Sequence, residues 1–385
     1  MRTDELLRPW YDAAAAMVPG LRTFDVHTHT GHADPDEFHQ TPEELLTGLS
    51  AVDGRAVVFT LHEPDGYSEP NDRVRAEAAA SGGKLVPFCR VNPHADALAE
   101  ARRSLDAGAR GIKLHPRAER FTLDHPTVGD LFELAQERSV PIIVHAGRGI
   151  PALGRHTLEQ AERHPGANVI LAHAGICDLA WLWRHGEERP NLLYDSAWWT
   201  ATDLIALFSL VPPGRILFGS DSPYGTPMHE SILTLRCARQ AGLSDDQVRE
   251  IMGGQVERLL AGEPLADLGP APMKPAEADL LLDRAYTFLI QAIIACFGRV
   301  MDRVGESLAL VRLCCEVGED APQAEACRSV LSLVDRFEHY QAVRDDDPRD
   351  FAGVSLLIVA AVVARTPNVP LPETPEPVSV SERTD

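Results

Sequence analysis

Basic residues are scarce in this sequence. Its 36 lysines and arginines stand against 57 aspartates and glutamates, which gives a net charge of −21 at pH 7. A surface with this balance repels the phosphates of nucleic acid and of anionic lipid. We therefore expect neither nucleic acid nor a membrane as a partner, and look for a small-molecule substrate instead.

Cysteines are few and do not form a disulfide pattern. There are seven, an odd number, and two of them, Cys314 and Cys315, are adjacent. Adjacent cysteines are poorly suited to an ordinary bridge, so no disulfide framework is predicted. This usage is typical of a reducing compartment, and we expect a cytoplasmic protein.

Long apolar runs are missing as well. The N-terminus carries acidic residues early and lacks the uninterrupted apolar stretch of a signal peptide. The strongest apolar run, residues 351–364, is shorter than the ~20 residues that cross a bilayer. We predict that it forms a buried helix.

The first two thirds of the chain show a regular alternation. Eight short β-rich apolar runs occupy residues 22–27, 55–61, 84–91, 111–115, 140–145, 168–173, 191–195 and 215–221. Segments with helical spacing separate these runs, and several begin with Thr, Asn or Asp and end with Gly. Strands that alternate with helices pair in parallel, and eight such units predict an α/β fold of the (β/α)8 TIM-barrel type. An open doubly wound sheet is the alternative, although no Gly-x-Gly-x-x-Gly turn follows the first run.

The remainder of the chain has a different character. Residues 243–260 predict a capped helix, a Gly–Gly turn and a second short helix that complete the barrel. A stretch rich in proline and small residues follows, and after it apolar residues recur three and four apart. We therefore predict four segments: a barrel at residues 1–262, a linker at 263–275, an all-α C-terminal domain of unknown role at 276–366, and a disordered tail at 367–385.

Potential metal ligands stand where the predicted strands end. In FDVHTHTG, His27 and His29 are two residues apart on a strand, so both imidazoles face the same side. Later strands end at His145 in PIIVHAG, His173 in VILAHAG and Asp221 in ILFGSD. The carboxyl ends of barrel strands meet at one rim, where active sites lie. Four imidazoles and a carboxylate at one place are costly to desolvate alone, and a divalent metal is their natural partner.

With these motifs the sequence resembles the amidohydrolase superfamily, and most closely its amidohydrolase-2 branch of metal-dependent TIM-barrel hydrolases and non-oxidative decarboxylases. The resemblance covers residues 21–260 and leaves the helical segment outside. It implies a catalytic metal, commonly zinc, on four ligands: His27, His29, His145 and Asp221. It also implies that His173 acts next to this metal.

The number of metal ions is left open by Lys113 in the fourth strand, GIKLHP. Binuclear members of the superfamily use a carboxylated lysine on this strand, and by that resemblance His173 would bind the second ion. Alternatively, Lys113 stays an ammonium that pairs with a substrate carboxylate or with an acid on the rim, and one ion is bound. His115, two residues further on the same face, is predicted to contact the substrate.

Hydrolysis of an amide, ester or lactone bond is the expected reaction. A divalent cation lowers the pKa of its bound water towards ~7 and polarises a carbonyl. Asp221 would accept the proton of the water, and His173 would orient the carbonyl. The alternative is a metal-dependent decarboxylase or hydratase that acts on a carboxylated aromatic or a dicarboxylate. A non-enzymatic role, with the barrel as a scaffold, is hard to reconcile with a complete ligand set.

Loop residues give a limited indication of the substrate. Arg117 and Arg148 follow strand ends, where guanidinium groups could bind an anionic group. Trp198, its neighbour Trp199, and Tyr224 could form an aromatic wall. The predicted substrate is therefore small, and anionic if the arginines bind it.

Two further strand-end residues, Asp195 and Asn92, are predicted to hydrogen-bond metal ligands from behind. The role of the helical segment is open at this stage. It could cap the barrel mouth, pair subunits into a homo-oligomer, or be an independent module.

Overall fold

A parallel β-barrel forms the centre of the molecule. The structure, a computed structural model, describes residues 3–176, 178–186, 188–273, 278–343 and 353–373. Its strands are β1 (Thr23–Thr30), β2 (Gly54–Thr60), β3 (Leu85–Pro87), β4 (Cys89–Arg90), β5 (Ile112–Leu114), β6 (Ile142–Val144), β7 (Val169–Leu171), β8 (Leu192–Asp195) and β9 (Ile216–Leu217). The pairs β1–β2–β3 and β4 through β9 are all parallel. The TIM barrel predicted from the alternation is confirmed.

The two sheets join at both of their edges. The third predicted strand is present as β3 and β4, separated by Phe88, whose backbone N–H still donates to the carbonyl of Val58 at 2.9 Å. Beyond β9 the chain remains beside β1, because the N–H of Asp221 donates to the carbonyl of His27 at 2.8 Å. These bonds close the barrel and bring the ends of its first and last strands together.

Helices surround the barrel, and most of those between the strands lie in predicted segments. They are α1 (Thr3–Ala15), α2 (Pro42–Ser50), α3 (Ser68–Ala80), α4 (Ala97–Asp106), α5 (Pro126–Arg138), α6 (Leu153–Arg163), α7 (Leu179–His185), α8 (Ala201–Leu210), α9 (Pro227–Gln240), α10 (Asp245–Arg249) and α11 (Gln255–Ala261). Local sequence explains their ends: Thr41 forms a capping box with Glu44 at the start of α2, where Pro42 occupies the first turn.

The predicted Gly–Gly turn is wrong. A π-helical turn, Glu250–Gly254, joins α10 to α11 without reversing the chain. A Cβ atom at Gly253 would lie 3.0 Å from the carbonyl oxygen of Arg22 and 3.3 Å from the Cβ of Phe24. The missing side chain therefore allows the helix to pack closely on the start of β1, and the glycine signals close approach instead of a turn.

In the described residues of the C-terminal segment, 278–343 and 353–373, four helices confirm the all-helical prediction. They are α12 (Leu280–Phe297), α13 (Met301–Cys314), α14 (Ala324–Val343) and α15 (Val354–Arg365). The apolar run predicted as a buried helix is α15, which contacts α12 and α14 on one side and α1, α8 and α9 on the other. The helical segment therefore packs directly on the barrel helices.

A buried arginine forms hydrogen bonds between the barrel and the C-terminal segment. Arg236 in α9 donates to the carbonyl of Thr366 at 3.0 Å and to that of Pro370 at 2.8 Å. The indole N–H of Trp10 in α1 donates to the hydroxyl of Ser329 in α14 at 2.8 Å. These bonds order the chain just after α15. The rest of the predicted disordered tail, residues 374–385, lies outside the described residues.

Within the described part of the chain, α12 is the one helix that is long and apolar enough to cross a membrane, judged by length and composition. It packs along α13 and α15. Core helices of folded proteins often have this composition, so the helix is weak evidence for a membrane span.

Candidate metal centre

Three of the predicted ligands meet at the carboxyl end of the barrel. The Nε2 atoms of His27 and His29 lie 2.9 and 3.1 Å from the same oxygen of Asp221, Oδ1. Both histidines are almost fully buried, whereas a fifth of the Asp221 side chain is exposed. Among the described residues these three form the group whose candidate ligand atoms all lie within 4.8 Å of one another.

Their hydrogen-bond partners fix the ring orientations. The Nδ1 atom of His27 lies 2.8 Å from the carboxylate of Asp195, and that of His29 lies 3.3 Å from the carbonyl oxygen of Thr60. A carboxylate and a carbonyl only accept hydrogen bonds, so the ring N–H of each neutral imidazole is on Nδ1. The lone pair on each Nε2 then points at Asp221.

The charges around this point are consistent with a bound cation. Burial lowers the pKa of His29 to about 3, so its ring is neutral. Burial and nearby Lys113 lower the pKa of His27, but the carboxylates of Asp221 and Asp195 outweigh them and raise it overall. Burial opposes ionisation of Asp221, yet the imidazoles of His27 and His173 hold its pKa well below the ordinary value.

The donor set therefore fits a divalent metal. Two imidazole lone pairs and one carboxylate oxygen face one another at about 3 Å, and they repel unless a cation or a proton lies between them. Neighbouring donors of a tetrahedral zinc site are separated by about 3.3 Å, which is close to these distances. The Asp195 bond to His27 is the kind of support that orients metal-binding imidazoles.

The second histidine pair lies next to this cluster. The Nε2 atom of His173 is 2.8 Å from the Nδ1 atom of His145, and its own Nδ1 donates to the carbonyl of Ala197 at 3.0 Å. His145 therefore donates to His173, and its Nε2 is a buried atom with no hydrogen-bond partner among the described residues. The ring of His173 is 5.2 Å from that of His27. The role of His145 as a metal ligand stays a prediction.

Lys113 reaches the same point from β5. Its Nζ atom donates to the Nε2 of His27 at 3.1 Å and lies 4.6 Å above the ring of Phe59. Burial lowers the pKa of Lys113 to about 7. The structure thus places this amine at the cluster, which suits the carboxylated form, while the ammonium alternative keeps its nearest carboxylates, Asp221 and Asp195, as charge partners.

Two site residues have an unusual backbone conformation. His173 and Asp221 have φ angles of 58° and 54°, in the left-handed region that residues with a Cβ rarely adopt. Ala174 and Gly175 continue this conformation after His173. Strained backbone of this kind concentrates at functional sites, where surrounding contacts hold it in place.

Two structural supports were missed or misplaced by sequence reasoning. Buried Asp25 accepts the backbone N–H groups of His27 at 3.0 Å and Ser220 at 2.9 Å, which ties β1 to the loop of Asp221. Its position two residues before His27 puts it on the ligand face, and this spacing could have revealed it. Asn92, in contrast, accepts from the backbone of His94 at 3.0 Å, so it orders a local turn and its expected support of a metal ligand is wrong.

A further ion pair in the site had no sequence signal. Arg90, at the end of β4, donates to Glu119 at 2.7 Å, and both side chains are almost fully buried. The hydroxyl of Tyr67 donates to the same Glu119 oxygen at 2.5 Å. Arg90 belongs to the cavity wall, whereas Glu119 comes from the loop after β5, and no local spacing links the two.

The predicted substrate residues line one cavity of about 1140 Å³ above the cluster: His115, Arg117, Arg148, Trp198, Trp199 and Tyr224. His115 stacks on His145, with ring centroids 3.8 Å apart, and burial lowers its pKa well below the ordinary value. Arg148 lies 5.6 Å from the ring of Trp198. No carboxylate of the described residues forms an ion pair with Arg117 or Arg148, so both guanidinium groups remain available to an anion.

Tyr224 lies in the cavity wall beside His29. Its ring packs edge-on against that of His29 at 5.9 Å, and its hydroxyl donates to Asp34. Trp198 donates its indole N–H to Asp203 at 2.8 Å, which fixes the ring 6.2 Å from that of His173. The aromatic wall predicted from the loops is therefore adjacent to the cluster.

The fold and this site define a TIM-barrel protein with a candidate metal centre of histidine and carboxylate side chains at the carboxyl rim. The family model of the amidohydrolases, Amidohydro_2, matches residues 16–261. The chain belongs to this family, which is a family of metal-dependent enzymes. The resemblance inferred from the motifs is confirmed, and the helical segment lies outside the match.

Solved structures show the same barrel. A 2,6-dihydroxybenzoate decarboxylase from Rhizobium is 17% identical over 63% of this chain and 98% of its own, with a TM-score of 0.50. An amidohydrolase from Burkholderia multivorans with bound zinc is 17% identical over 62% of this chain and 99% of its own, with a TM-score of 0.51. A TIM-barrel protein from Bordetella bronchiseptica is 18% identical over 63% and 99%, with a TM-score of 0.51. No curated protein matches the chain.

Proposed function

We propose that the protein is a metal-dependent hydrolase that cleaves an amide, ester or lactone bond in a small anionic substrate. The observation that supports this best is the convergence of acceptor atoms from His27, His29 and Asp221. Nitrogen and oxygen ligands of this kind suit zinc. When bound, a divalent cation would polarise the substrate carbonyl and lower the pKa of a water molecule.

The residues of the chain have separate tasks in this proposal. His27 and His29 hold the metal, with His145 as the further ligand expected from the family resemblance. Asp221 is ionised and partly exposed to the cavity, so it is the group that accepts a proton from the attacking water. Arg117 and Arg148, which have no carboxylate partner among the described residues, bind the anionic part of the substrate.

His173 orients the substrate carbonyl in this proposal. Both of its ring nitrogens are engaged, one by Ala197 and one by His145. Its contact with a carbonyl therefore requires the bond to His145 to open when the substrate enters. Lys113 adjusts the metal number: two ions if it is carboxylated, and one if it remains an amine.

Oxygen-18 labelling tests the reaction class. The zinc-loaded protein is incubated in labelled water with a panel of amides, lactones, esters and carboxylated aromatics, and the products are examined by mass spectrometry. Hydrolysis places labelled oxygen in the product. Release of carbon dioxide with no label in the organic product would instead establish the decarboxylase alternative. Asp221→Asn is the matched variant and should lose most turnover with either reaction.

The cellular setting belongs to the same proposal. Cys89, Cys237, Cys314, Cys315 and Cys327 are free thiols, which fits the expected cytoplasmic location. A homo-oligomer formed through the helical segment remains a prediction. Light scattering of the full chain would measure its mass. Truncation after residue 262 would test whether the helices are needed for the oligomer to form.

A further inference from the structure

The cavity above the metal centre continues under the C-terminal helices. Six residues of α12, α14 and α15 line it: Phe297, Tyr340, Val343, Val354, Ser355 and Ile358. All of them lie beyond residue 261, where the family match ends. This part of the wall is therefore an addition of this chain to the barrel shared with its relatives.

An unbroken aromatic path connects this wall with the metal centre. The ring of Trp198 lies 6.2 Å from that of His173 and 6.2 Å from that of Trp199. Trp199 in turn packs edge-on against Phe297 of α12, with centroids 5.5 Å apart. A ligand group that leaves the reacting centre along this side meets apolar surface as far as the helical segment.

The end of the path is apolar and open to the cavity. Phe297 is 36% exposed and Val343 is 43% exposed, although both are large apolar side chains at a cavity wall. Val354 and Ile358, which line the same cavity, are buried. Exposed apolar side chains within a concave site favour an apolar group as the occupant.

The wall is held in a fixed position relative to the barrel. The hydroxyl groups of Thr202 in α8 and Tyr286 in α12 are 2.7 Å apart, and Arg236 of α9 bonds the chain after α15. The cavity volume of about 1140 Å³ exceeds the roughly 300–1,000 Å³ of most small-molecule sites. A carboxylate or carbonyl at the metal centre would occupy a minor part of this space.

We infer that the helical segment forms the specificity pocket for an apolar substituent, so that the substrate is an acyl compound or carboxylate with an extended alkyl chain. Its polar end lies at the candidate metal centre, and its chain runs past Trp199 to Phe297 and Val343. This inference rests on the proposed function for the reacting end of the substrate. It adds a substrate class to that proposal and assigns the helices a role in substrate binding.

Binding of straight-chain carboxylates tests this inference without any turnover. Calorimetry of the zinc-loaded full chain with butanoate, hexanoate, octanoate and decanoate should show an affinity that rises about fourfold per methylene. The double variant Phe297→Ser with Val343→Ser should lose most of this rise while it still binds butanoate like the parent. Both positions are partly exposed, so the fold should persist, and thermal melting verifies this.

The matched control is Ile294→Ser with Leu313→Ser, two apolar residues of the helical segment that are 58% and 60% exposed and lie outside the cavity wall. This control should keep the dependence on chain length. Affinity that does not change with chain length in the parent, or an equal loss in both double variants, would overturn the inference. Zinc content and labelling by oxygen-18 are measured separately, so a failure of the proposed hydrolysis is recognised independently.

Discussion

The barrel rim and the helical segment differ in the residues that they present to the shared cavity. At the rim, His27, His29 and Asp221 are held by hydrogen bonds from strands that are far apart in the sequence. In the helical segment, the apolar side chains of Phe297, Val343, Val354 and Ile358 line the same cavity, together with Tyr340 and Ser355. The difference separates a polar cluster at the barrel rim from an apolar wall that the helices add, and we propose that the rim carries the chemistry and the helices the selectivity.

Removal of a ligand should produce the largest effect. His27→Ala takes away one of three facing acceptor atoms, and we expect loss of bound metal and a fall in turnover of more than about a thousandfold. Metal content by elemental analysis and activity on the best substrate measure this. His185→Ala, an exposed histidine on α7, is the control and should change neither.

Loss of the carboxylate that hydrogen-bonds His27 should reduce metal affinity less than loss of His27 itself. Asp195→Asn removes the carboxylate that fixes the N–H of His27 on Nδ1. We expect metal affinity or activity to fall about 10- to 100-fold. Zinc titration against a competing chelator measures the affinity. An unchanged affinity would mean that Asp195 does not orient the ring.

The junction between the two regions should affect stability more than chemistry. Arg236→Ala leaves the carbonyl groups of Thr366 and Pro370 without their donor, and we expect a loss of about 2–4 kcal/mol in the free energy of unfolding. Arg239→Ala, on the same helix but partly exposed, should cost less than about 1 kcal/mol. Urea unfolding compares the two. Equal losses of unfolding free energy in the two variants would contradict the proposal that Arg236 stabilises the junction.

The smallest expected effect is on the pH dependence of stability, and it comes from Glu100 in α4, away from the metal cluster and from the helical segment. Burial raises the pKa of Glu100, but hydrogen bonds from Arg103, Ser68 and Asn71 outweigh it and lower the pKa to about 2. Its stabilising effect is therefore present above the ordinary value of 4.5 and is lost as the pH falls towards 2. Glu100→Gln should reduce stability at neutral pH by about 1 kcal/mol and flatten this acid limb. Glu137→Gln, an exposed member of an ion pair, is the control for unfolding measured at several pH values.

Much of the barrel could be predicted because its signals are local. Each apolar run that ends in a candidate ligand contains a strand of the barrel, as β6 shows in the run before His145. The His-x-His spacing placed two rings on one face, and barrel topology brought Asp221 to them. Gly253 was misread because a glycine needed for close packing has the same sequence appearance as one that turns the chain.

The remaining features depend on contacts between distant segments. The pairing of Arg90 with Glu119, and the bond between His145 and His173, follow from side-chain positions that no local pattern encodes. The same applies to the helices, because helical periodicity shows an apolar face without showing what it covers. Their position over the cavity became visible only through the packing of α15 against the barrel.

Zinc stoichiometry of the full chain tests the central claim most directly. Elemental analysis of the purified protein, and of His29→Ala prepared in the same way, should give about one zinc per chain in the parent, or two if Lys113 is carboxylated, and almost none in the variant. Parent protein that binds no zinc when supplied with it, or a variant that retains the full amount, would contradict the assignment of His27, His29 and Asp221 as a metal site.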